Sequence, residues 1–440
     1  MSAMREQITV QQERAILVGA VLPEDRNKLL QDDWLQELHA LAESAGAVVV
    51  YRSIQKVRQV HAGTYIGSGK AQMLAEKVEQ HEANVVIFDN DLSPAQIREL
   101  EKIVKCKVLD RSELILDIFA TRARTKQAKL QVELAQLEYT YPRLTRMWGH
   151  LDTVAGAGGG TAAGAVGGIG TRGTGEKQLE IDRRLVKKRI TELKREIAGI
   201  DKRKLREIDG RRGFYKICLV GYTNAGKSTL MNALTSADVY VEDQLFATLD
   251  TRTRKWAVEP GVEALLSDTV GFVSKLPHHL VASFKATLEE AVNADLLLHV
   301  VDASSPDVFD QIKSVEAVLK DIGCAEKEML VVLNKSDRIA NRELFEAVQT
   351  VYPDAIGISA RTGYQLDRVA AAIAEKVRGA KVRIRVQSDA GNGKLHHFVH
   401  TVGERVTEAY QDNTVTHELT LGRNQLPQLE RLGAQSVERV

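Results

Sequence analysis

The stretch Gly221-Tyr222-Thr223-Asn224-Ala225-Gly226-Lys227-Ser228-Thr229 matches the phosphate-binding pattern G-x-x-x-x-G-K-[ST] at every fixed position. An apolar run at 214–220 predicts a strand before it, and 230–234 predicts a helix after it. In this strand-loop-helix context, the loop N–H groups and the helix N-terminus hold the α- and β-phosphates of a nucleotide. We expect Lys227 to reach the β- and γ-phosphates and Ser228 to offer its hydroxyl to Mg²⁺.

Four further elements follow the phosphate loop in the order that a GTP-binding domain needs. Asp268 ends a predicted strand and is expected near Mg²⁺, with the Gly271 N–H available to the γ-phosphate. Thr248 is expected to be a further Mg²⁺ ligand, in a segment released on hydrolysis. The predicted Mg²⁺ ligands are therefore Ser228, Thr248 and Asp268, and the predicted catalytic residues are Lys227, Thr248 and Gly271.

The base is chosen by Asp337, because guanine presents N1–H and the 2-amino group as adjacent donors to its carboxylate, whereas adenine lacks that pair. Asn334 is expected to tie the base loop to the phosphate loop, and the Lys335 stem to cover the ring. A backbone N–H of the segment 359–361 would donate to guanine O6. Beyond the phosphate loop, the predicted nucleotide ligands are Phe246, Ala247, Thr248, Leu249, Asp250, Asp268, Thr269, Val270, Gly271, Asn334, Lys335, Ser336, Asp337, Ser359, Ala360 and Arg361.

The sequence lacks a glutamine directly after Gly271. Phe272 directly follows Gly271, where Ras-type switches carry the glutamine that orients the attacking water. Intrinsic hydrolysis is therefore expected to be slow unless a partner completes the site.

The chain of 440 residues is too long for one ordinary core, and four regions can be distinguished. The fold class is α/β: a P-loop G domain with a doubly wound, mostly parallel sheet at 213–380, preceded by a small α/β domain at 1–118 and a long antiparallel helical hairpin at 119–212. A small α/β appendage at 381–440 completes the chain. The first region predicts strands at 15–22, 47–51, 84–88 and 107–109, with helices at about 32–44, 69–82 and 93–104.

The hairpin is predicted from two apolar heptad seams, which begin at Leu130 and at Val186. Its connecting loop, 156–175, contains ten glycines and a single charged residue, Arg172. Either the loop is a tolerated linker, or it is a probe that enters a crowded, RNA-lined cavity. Residues 121–212 contain 21 Lys and Arg against 11 Asp and Glu, a net charge of +10, although the whole chain carries +1. This segregation favours RNA as a partner over a merely solvated basic helix.

The remaining features limit other classes of function. Three cysteines without paired spacing indicate a reducing compartment, and no apolar run approaches the roughly 20 residues that span a membrane. We therefore expect a cytoplasmic monomer without stable membrane insertion, with a membrane-associated fraction left open.

Residues 63–70 are interpreted as a turn, with binding of a second nucleotide as the weaker alternative. In the appendage, a strand at 382–386, a helix at about 395–410, a strand at 414–421 and a short final helix are predicted. No Cys or carboxylate at ligand spacing accompanies His396, His397 and His400, so no metal site is predicted there.

The chain resembles the HflX-type GTPases, which are ribosome-associated members of the Obg-HflX superfamily of translational GTPases. The resemblance rests on 64–70, 109–111 with 114–120, the glycine loop followed by 178–180, and, in the G domain, 221–229, 246–250 and 268–272. It implies a cytoplasmic, Mg²⁺-dependent GTPase that binds the large ribosomal subunit and its rRNA and splits stalled ribosomes, with the glycine loop directed at the peptidyl-transferase region. The chain departs from the family pattern in a longer loop, in Thr174 where G-P-G-E has proline, and in Arg361 where lysine is common.

Two other classes of function stay open at this point. The chain could be a GTP-dependent switch that acts on a protein effector, with the basic hairpin as a coiled-coil platform. Alternatively, it could be an ATP- or GTP-driven RNA-remodelling enzyme, although Asp337 opposes the use of ATP.

Overall fold

The structure is a computed structural model, which describes residues 12–23, 34–147, 174–209, 214–235, 245–246, 251–260, 262–274, 285–379, 381–411, 413–422 and 425–440. The chain forms two compact units. The first comprises residues 1–199 and 276–283, and the second comprises 200–275 and 284–440.

The first unit contains a four-stranded parallel sheet with the strand order β2-β1-β3-β4. The side chains of β1 from Ala15 to Val21 are all buried, as expected where both faces of a parallel sheet are covered. Helix α3 begins with a capping box, in which the Ser93 hydroxyl accepts from the Gln96 N–H while the Gln96 side chain accepts from the Ser93 N–H. The predicted parallel α/β layer is confirmed, with β1 at Arg14–Val21, α1 at Gln36–Ser44, β2 at Val48–Lys56, α2 at Ser68–Gln80, β3 at Val85–Phe88, α3 at Pro94–Val104 and β4 at Lys107–Asp110.

The buried carboxylate of Asp110 organises the next helices, α4 (Arg111–Arg122) and α5 (Lys126–Met147). One of its oxygens caps α4 by accepting from the Glu113 N–H at 2.9 Å and also accepts from the Tyr139 hydroxyl at 2.6 Å. Arg143 donates to the other oxygen at 3.0 Å. Helix α4 runs across the domain boundary predicted at residue 118, because this cap starts a new helix directly after β4.

Helix α6 (Thr174–Asp209) pairs with α5 in the first unit. Arg189 donates to both carboxylate oxygens of Glu133, at 2.7 and 2.9 Å, and Lys194 lies 2.8 Å from Glu138. Leu130, Leu134 and Leu193 of the predicted seams are buried, and α5 continues through Pro142. Residues 156–173 of the glycine loop, and with them the predicted hairpin turn, lie outside the described residues. The last two residues assigned to that loop, 174 and 175, instead form the start of α6.

The second unit is built on a six-stranded sheet with the order β10-β9-β8-β5-β7-β6, in which only β6 is antiparallel to its neighbour. The predicted doubly wound, mostly parallel sheet is therefore confirmed. Its elements are β5 at Tyr215–Gly221, α7 at Lys227–Thr235, β6 at Arg252–Glu259, β7 at Val262–Asp268, α8 at Lys285–Val292, β8 at Leu296–Asp302, α9 at Val308–Asp321, β9 at Met329–Asn334, α10 at Arg342–Val351, β10 at Ile356–Gly357 and α11 at Leu366–Gly379.

The appendage is a four-stranded antiparallel sheet, in the order β12-β13-β11-β14, packed against a helix. The helix predicted at about 395–410 is wrong in its second half: α12 ends at Val402, and Glu404–Gln411 form strand β12. Gly403 allows the reversal, since a Cβ there would lie 2.5 Å from the Val399 carbonyl oxygen. The elements are β11 at Lys381–Asp389, α12 at Gly393–Val402, β12 at Glu404–Gln411, β13 at Thr414–Gly422, α13 at Leu426–Arg431 and β14 at Ser436–Arg439, the last of which was not predicted.

In the part of the chain that the structure describes, no helix is both long enough and apolar enough to cross a membrane.

Candidate nucleotide-binding site

The carboxyl ends of four adjacent parallel strands lie side by side in the second unit. In sheet order β7, β5, β8 and β9, they end at Asp268, Gly221, Asp302 and Asn334. The chain leaves β5 toward β7 on one side and later returns to β8 on the other. This reversal is a topological switch point, where open α/β sheets bind ligands. The sheet therefore gathers residues that are dispersed over more than a hundred positions of the sequence.

The phosphate loop has the backbone conformation that its glycines permit. Gly221 has φ +149°, and a Cβ on it would lie 2.2 Å from the Val300 carbonyl oxygen of the next strand. Gly226 has φ +91°, and its Cβ would lie 2.3 Å from the Asn334 side-chain nitrogen. Side chains are excluded at both positions, so the loop backbone stays open toward a phosphate chain.

Lys227 is buried at the start of α7, and its ammonium donates to the Gly221 and Tyr222 carbonyls at 3.1 and 2.9 Å. Burial lowers the pKa of Lys227 to about 8, although the nearby Asp268 carboxylate acts in the opposite direction. Gly271 lies against this amine, since a Cβ on Gly271 would lie 2.9 Å from the Lys227 nitrogen. The structure thus brings two of the three predicted catalytic residues together.

Two of the three predicted Mg²⁺ ligands are adjacent. The Ser228 hydroxyl donates to an Asp268 carboxylate oxygen at 2.6 Å, and Asp268 is buried. Thr269 is also buried, and its hydroxyl donates to the Leu219 carbonyl at 2.6 Å, which holds the end of β7 beside β5. The third predicted ligand, Thr248, lies outside the described residues, as do Ala247, Leu249 and Asp250, whereas Phe246 is described and buried.

Asn334 joins the phosphate loop to the segment that follows β10. Its side-chain amide donates to the Ala225 carbonyl at 2.8 Å, and its side-chain oxygen accepts from the Ala360 N–H at 2.9 Å. Asn334 is 2% exposed, so neither hydrogen bond is exchanged with water. The Asn334 side chain thus connects the two loops through hydrogen bonds to their backbone.

The predicted base-binding residues lie close to Asn334 in the loops after β9 and β10. Lys335 has φ +63°, and its ammonium pairs with Asp302 at 2.7 Å. Asp337 is exposed and accepts a hydrogen bond from the Ser359 side chain, which lowers the pKa of Asp337 below its usual range. The Ser336 N–H donates to the Ile358 carbonyl at 3.0 Å, which holds this loop against the end of β10. Ala360 and Arg361 lie on the loop after β10, with Arg361 exposed, whereas Val270 follows the end of β7 and is buried.

The chain is similar to known proteins over most of its length. Three protein-family models match consecutive parts of the chain: "GTP-binding GTPase N-terminal" at 32–120, "GTP-binding GTPase Middle Region" at 122–211 and "50S ribosome-binding GTPase" at 216–335. A GTPase HflX from Escherichia coli K12 is 42% identical over 389 residues, which cover 87% of each chain. The GTPase HflX of Caldanaerobacter subterraneus is 45% identical over 371 residues, or 84% of this chain and 81% of that one, and the one from Lacrimispora saccharolytica is 40% identical over 407 residues, or 92% of each.

The chain belongs to the HflX family of GTPases. It is therefore a GTP-hydrolysing enzyme, and the resemblance stated from its motifs is confirmed.

In this member of the HflX family, Phe272 is held in place by its own backbone. Its N–H donates to the Gly221 carbonyl at 3.1 Å, and its carbonyl accepts from the Thr223 N–H at 2.7 Å. The Phe272 side chain is 2% exposed. Because an apolar ring without a donor or acceptor occupies this position, Phe272 cannot orient an attacking water.

Sequence reasoning missed two residues of this site. Asp302 holds Lys335, and the only available signal was its position at the end of an apolar strand. His299 lies on β8 opposite Val220 of β5 and is 1% exposed. Burial, with a smaller contribution from Lys227, lowers the pKa of His299 to about 4. His299 is thus a neutral core residue beneath the phosphate loop, and a single histidine within an apolar strand gave no sign of it.

A side chain at Gly226 should weaken nucleotide binding. Gly226→Ala displaces the Asn334 amide, and loss of its buried hydrogen bond costs about 1–3 kcal/mol, or roughly 5- to 150-fold in affinity for GDP and GTP. Gly323→Ala is the matched control, since Gly323 also has positive φ, at +81°, but a Cβ there would meet nothing within 4 Å. Equilibrium titration with a fluorescent GDP would measure both variants. Equal affinities in the two variants would contradict the role of the Asn334 side chain in holding the phosphate loop for nucleotide binding.

His299 should make the protein less stable as the pH falls. Its folded pKa of about 4 lies below the value of 6.5 expected when exposed, so the unfolded state binds more protons between these values and stability is lost on acidification through that window. Between pH 7 and pH 5, His299 contributes about 2 kcal/mol of this loss. Urea unfolding at both pH values should show a smaller loss for His299→Gln than for the unsubstituted protein. The exposed-residue control, His397→Gln, should retain the full loss.

Proposed function

We propose that this GTPase binds the large ribosomal subunit and separates stalled or idle ribosomes, hydrolysing GTP by Mg²⁺-assisted in-line attack of water. The observation that carries the proposal is the fixed, buried Phe272 in a site that is otherwise equipped to hold a nucleotide. Such a site binds GTP by itself but needs a partner to complete the hydrolytic machinery.

Two observations support the large subunit as that partner. The family model that matches the G domain is described as a 50S ribosome-binding GTPase. In addition, the +10 segment at 121–212 includes α6, on which Arg184, Lys187, Lys188 and Arg195 are exposed. Exposed cations neutralise RNA phosphates and release counterions, which supplies affinity without sequence readout. The expected location, the cytoplasm, is where such a partner is found.

The oxygen ligands near the phosphate loop fit Mg²⁺. Ser228 and Asp268 present a hydroxyl and a carboxylate 2.6 Å apart, and Mg²⁺ takes oxygen ligands of this kind together with substrate phosphates. We propose that both residues, with Thr248, hold the ion. When bound, Mg²⁺ neutralises charge that develops on the phosphates during transfer.

We propose that the other phosphate contacts are made by residues of the chain itself. The loop from Gly221 to Thr229 holds the phosphates through its N–H groups, and Lys227 supplies positive charge at the β- and γ-phosphates. We assign the Gly271 N–H to the γ-phosphate, since Gly271 lies against the Lys227 amine. Release of Thr248 and Gly271 after hydrolysis would return the protein to a GDP form with lower affinity for its partner.

We propose that the base is read by Asp337 and by the backbone of the 359–361 segment. The Ser359 hydroxyl orients the Asp337 carboxylate, which keeps it ionised as an acceptor for two guanine donors. Lys335, fixed by Asp302, provides an aliphatic stem to cover one face of the ring.

Asp337→Asn should change the base specificity of the site from guanine to xanthine. The amide loses one acceptor for the guanine donors, so GTP affinity should fall by about 10⁴-fold, as in other sites that lose a paired polar contact. Xanthine carries an oxygen where guanine has its 2-amino group, so the amide N–H should donate to it and restore binding of xanthosine triphosphate. Competition titrations with both nucleotides would measure the change. Unchanged GTP affinity in this variant would remove Asp337 from the base site.

Large ribosomal subunits should raise the GTP turnover of the purified protein, and rising salt should reduce the effect steeply, because phosphate contacts release counterions. A variant that lacks residues 156–173 should keep its basal turnover and nucleotide affinity but lose the stimulation. The deletion ends before α6, so both described helices are retained. Turnover that is unaffected by subunits would instead favour a switch acting on a protein effector.

A further inference from the structure

Three residues of the C-terminal sheet and helix bring potential metal ligands together: His400, Glu408 and His417. His400 lies on α12, while Glu408 and His417 are directly opposite each other on β12 and β13. One ligand atom from each residue lies within 4.8 Å of the other two. This group lies outside the nucleotide site, and the functions assigned above do not use it.

The hydrogen bonds around His417 determine which of its nitrogens carries the proton. The Nε2 of His396 lies 3.2 Å from the Asp389 carbonyl oxygen, which can only accept, so His396 carries its proton on Nε2. The Nδ1 of neutral His396 is then an acceptor, and it lies 2.8 Å from Nε2 of His417. His417 must therefore donate from Nε2, which leaves a lone pair on its Nδ1.

That lone pair is directed at a carboxylate. The Nδ1 of His417 lies 3.3 Å from an oxygen of Glu408, and among the described residues it has no hydrogen-bond partner. The His417 side chain is fully buried. Two electron-rich atoms at this distance repel each other unless a cation lies between them.

A metal ion satisfies this arrangement better than a proton does. A proton shared between nitrogen and carboxylate would give a bond of about 2.7–2.9 Å, shorter than the distance observed. The Nε2 of His400 also contacts the same Glu408 oxygen, so three ligand atoms converge. The second Glu408 oxygen accepts from the Tyr410 hydroxyl at 3.0 Å, which orients the carboxylate toward the two imidazoles.

We propose that His400, Glu408 and His417 form a binding site for a divalent first-row transition metal of the zinc class. Two imidazoles and one carboxylate favour such a metal over Mg²⁺ or Ca²⁺, which prefer oxygen ligands. Tetrahedral zinc places its ligand atoms about 3.4 Å apart. The His417 nitrogen and the Glu408 oxygen, 3.3 Å apart, already have this separation, whereas the His400 nitrogen has to move away from the Glu408 oxygen to make room for the ion. The His396 acceptor and the Asp389 carbonyl behind it are the outer hydrogen-bond partners that ligating histidines have. The metal would join α12 to the β12-β13 hairpin and leave a fourth position open.

Titration of the full-length protein with Co²⁺ tests this proposal directly. The protein is first freed of metal and nucleotide, so that no nucleotide phosphates are present to hold Co²⁺ at the phosphate loop. One equivalent of Co²⁺ should bind and give the visible absorption of a site with nitrogen ligands, and Zn²⁺ should displace it. Absence of binding, or absorption typical of thiolate ligands, would overturn the proposal in favour of a metal-free hydrogen-bonded cluster.

Variants of partly exposed residues keep the test independent of folding. His400→Ala and Glu408→Gln should each weaken Co²⁺ binding by more than 100-fold, because both lose a ligand, and His396→Gln should weaken it about 10- to 100-fold through the outer hydrogen bond. The matched control is His397→Ala, since His397 is exposed on the same helix and is not part of the group. Equal affinity of the His400 and His397 variants would contradict the assignment.

Discussion

The nucleotide site depends on the side chain of Asn334. With two buried hydrogen bonds, this amide connects the phosphate loop at Ala225 with the segment at Ala360 that we propose to bind the base, over separations of 109 and 26 residues. A buried amide that lost either partner would leave a backbone group unsatisfied, at a cost of about 1–3 kcal/mol. The phosphate loop and the segment after β10 are therefore held at one separation.

The parallel sheet makes this connection possible. Because β7, β5, β8 and β9 end at the same edge, Asp268, Gly221, Asp302 and Asn334 are adjacent although they lie far apart in the sequence. The same edge holds Phe272 by two backbone hydrogen bonds to the phosphate loop. The buried, apolar residue beside Gly271 is the feature on which the proposal of a partner that completes the site rests.

The C-terminal sheet shows a different limit of sequence reasoning. Three histidines on α12 were visible in the sequence, but a carboxylate at ligand spacing was not, and no metal site was predicted. The prediction of a single helix at about 395–410 placed Glu408 on the same element as the histidines. In the structure the chain reverses at Gly403, so Glu408 and His417 come from a β-hairpin that packs against the helix. The error in secondary structure and the missed ligand group have one cause.

The sequence by itself determined the nature of the nucleotide site, the parallel α/β architecture and the family. These follow from local patterns: a loop of nine residues with its own strand and helix, apolar runs of strand length, and the Asn334-to-Asp337 motif, whose chemistry is contained in contiguous residues. Only the tertiary structure decided which residues act together over long distances. The Asn334 junction, the Asp302–Lys335 pair, the neutral His299 and the group around His417 all depend on strand order and burial. Hydrogen bonding and desolvation act between atoms that are close in space, and sequence separation does not reveal that proximity.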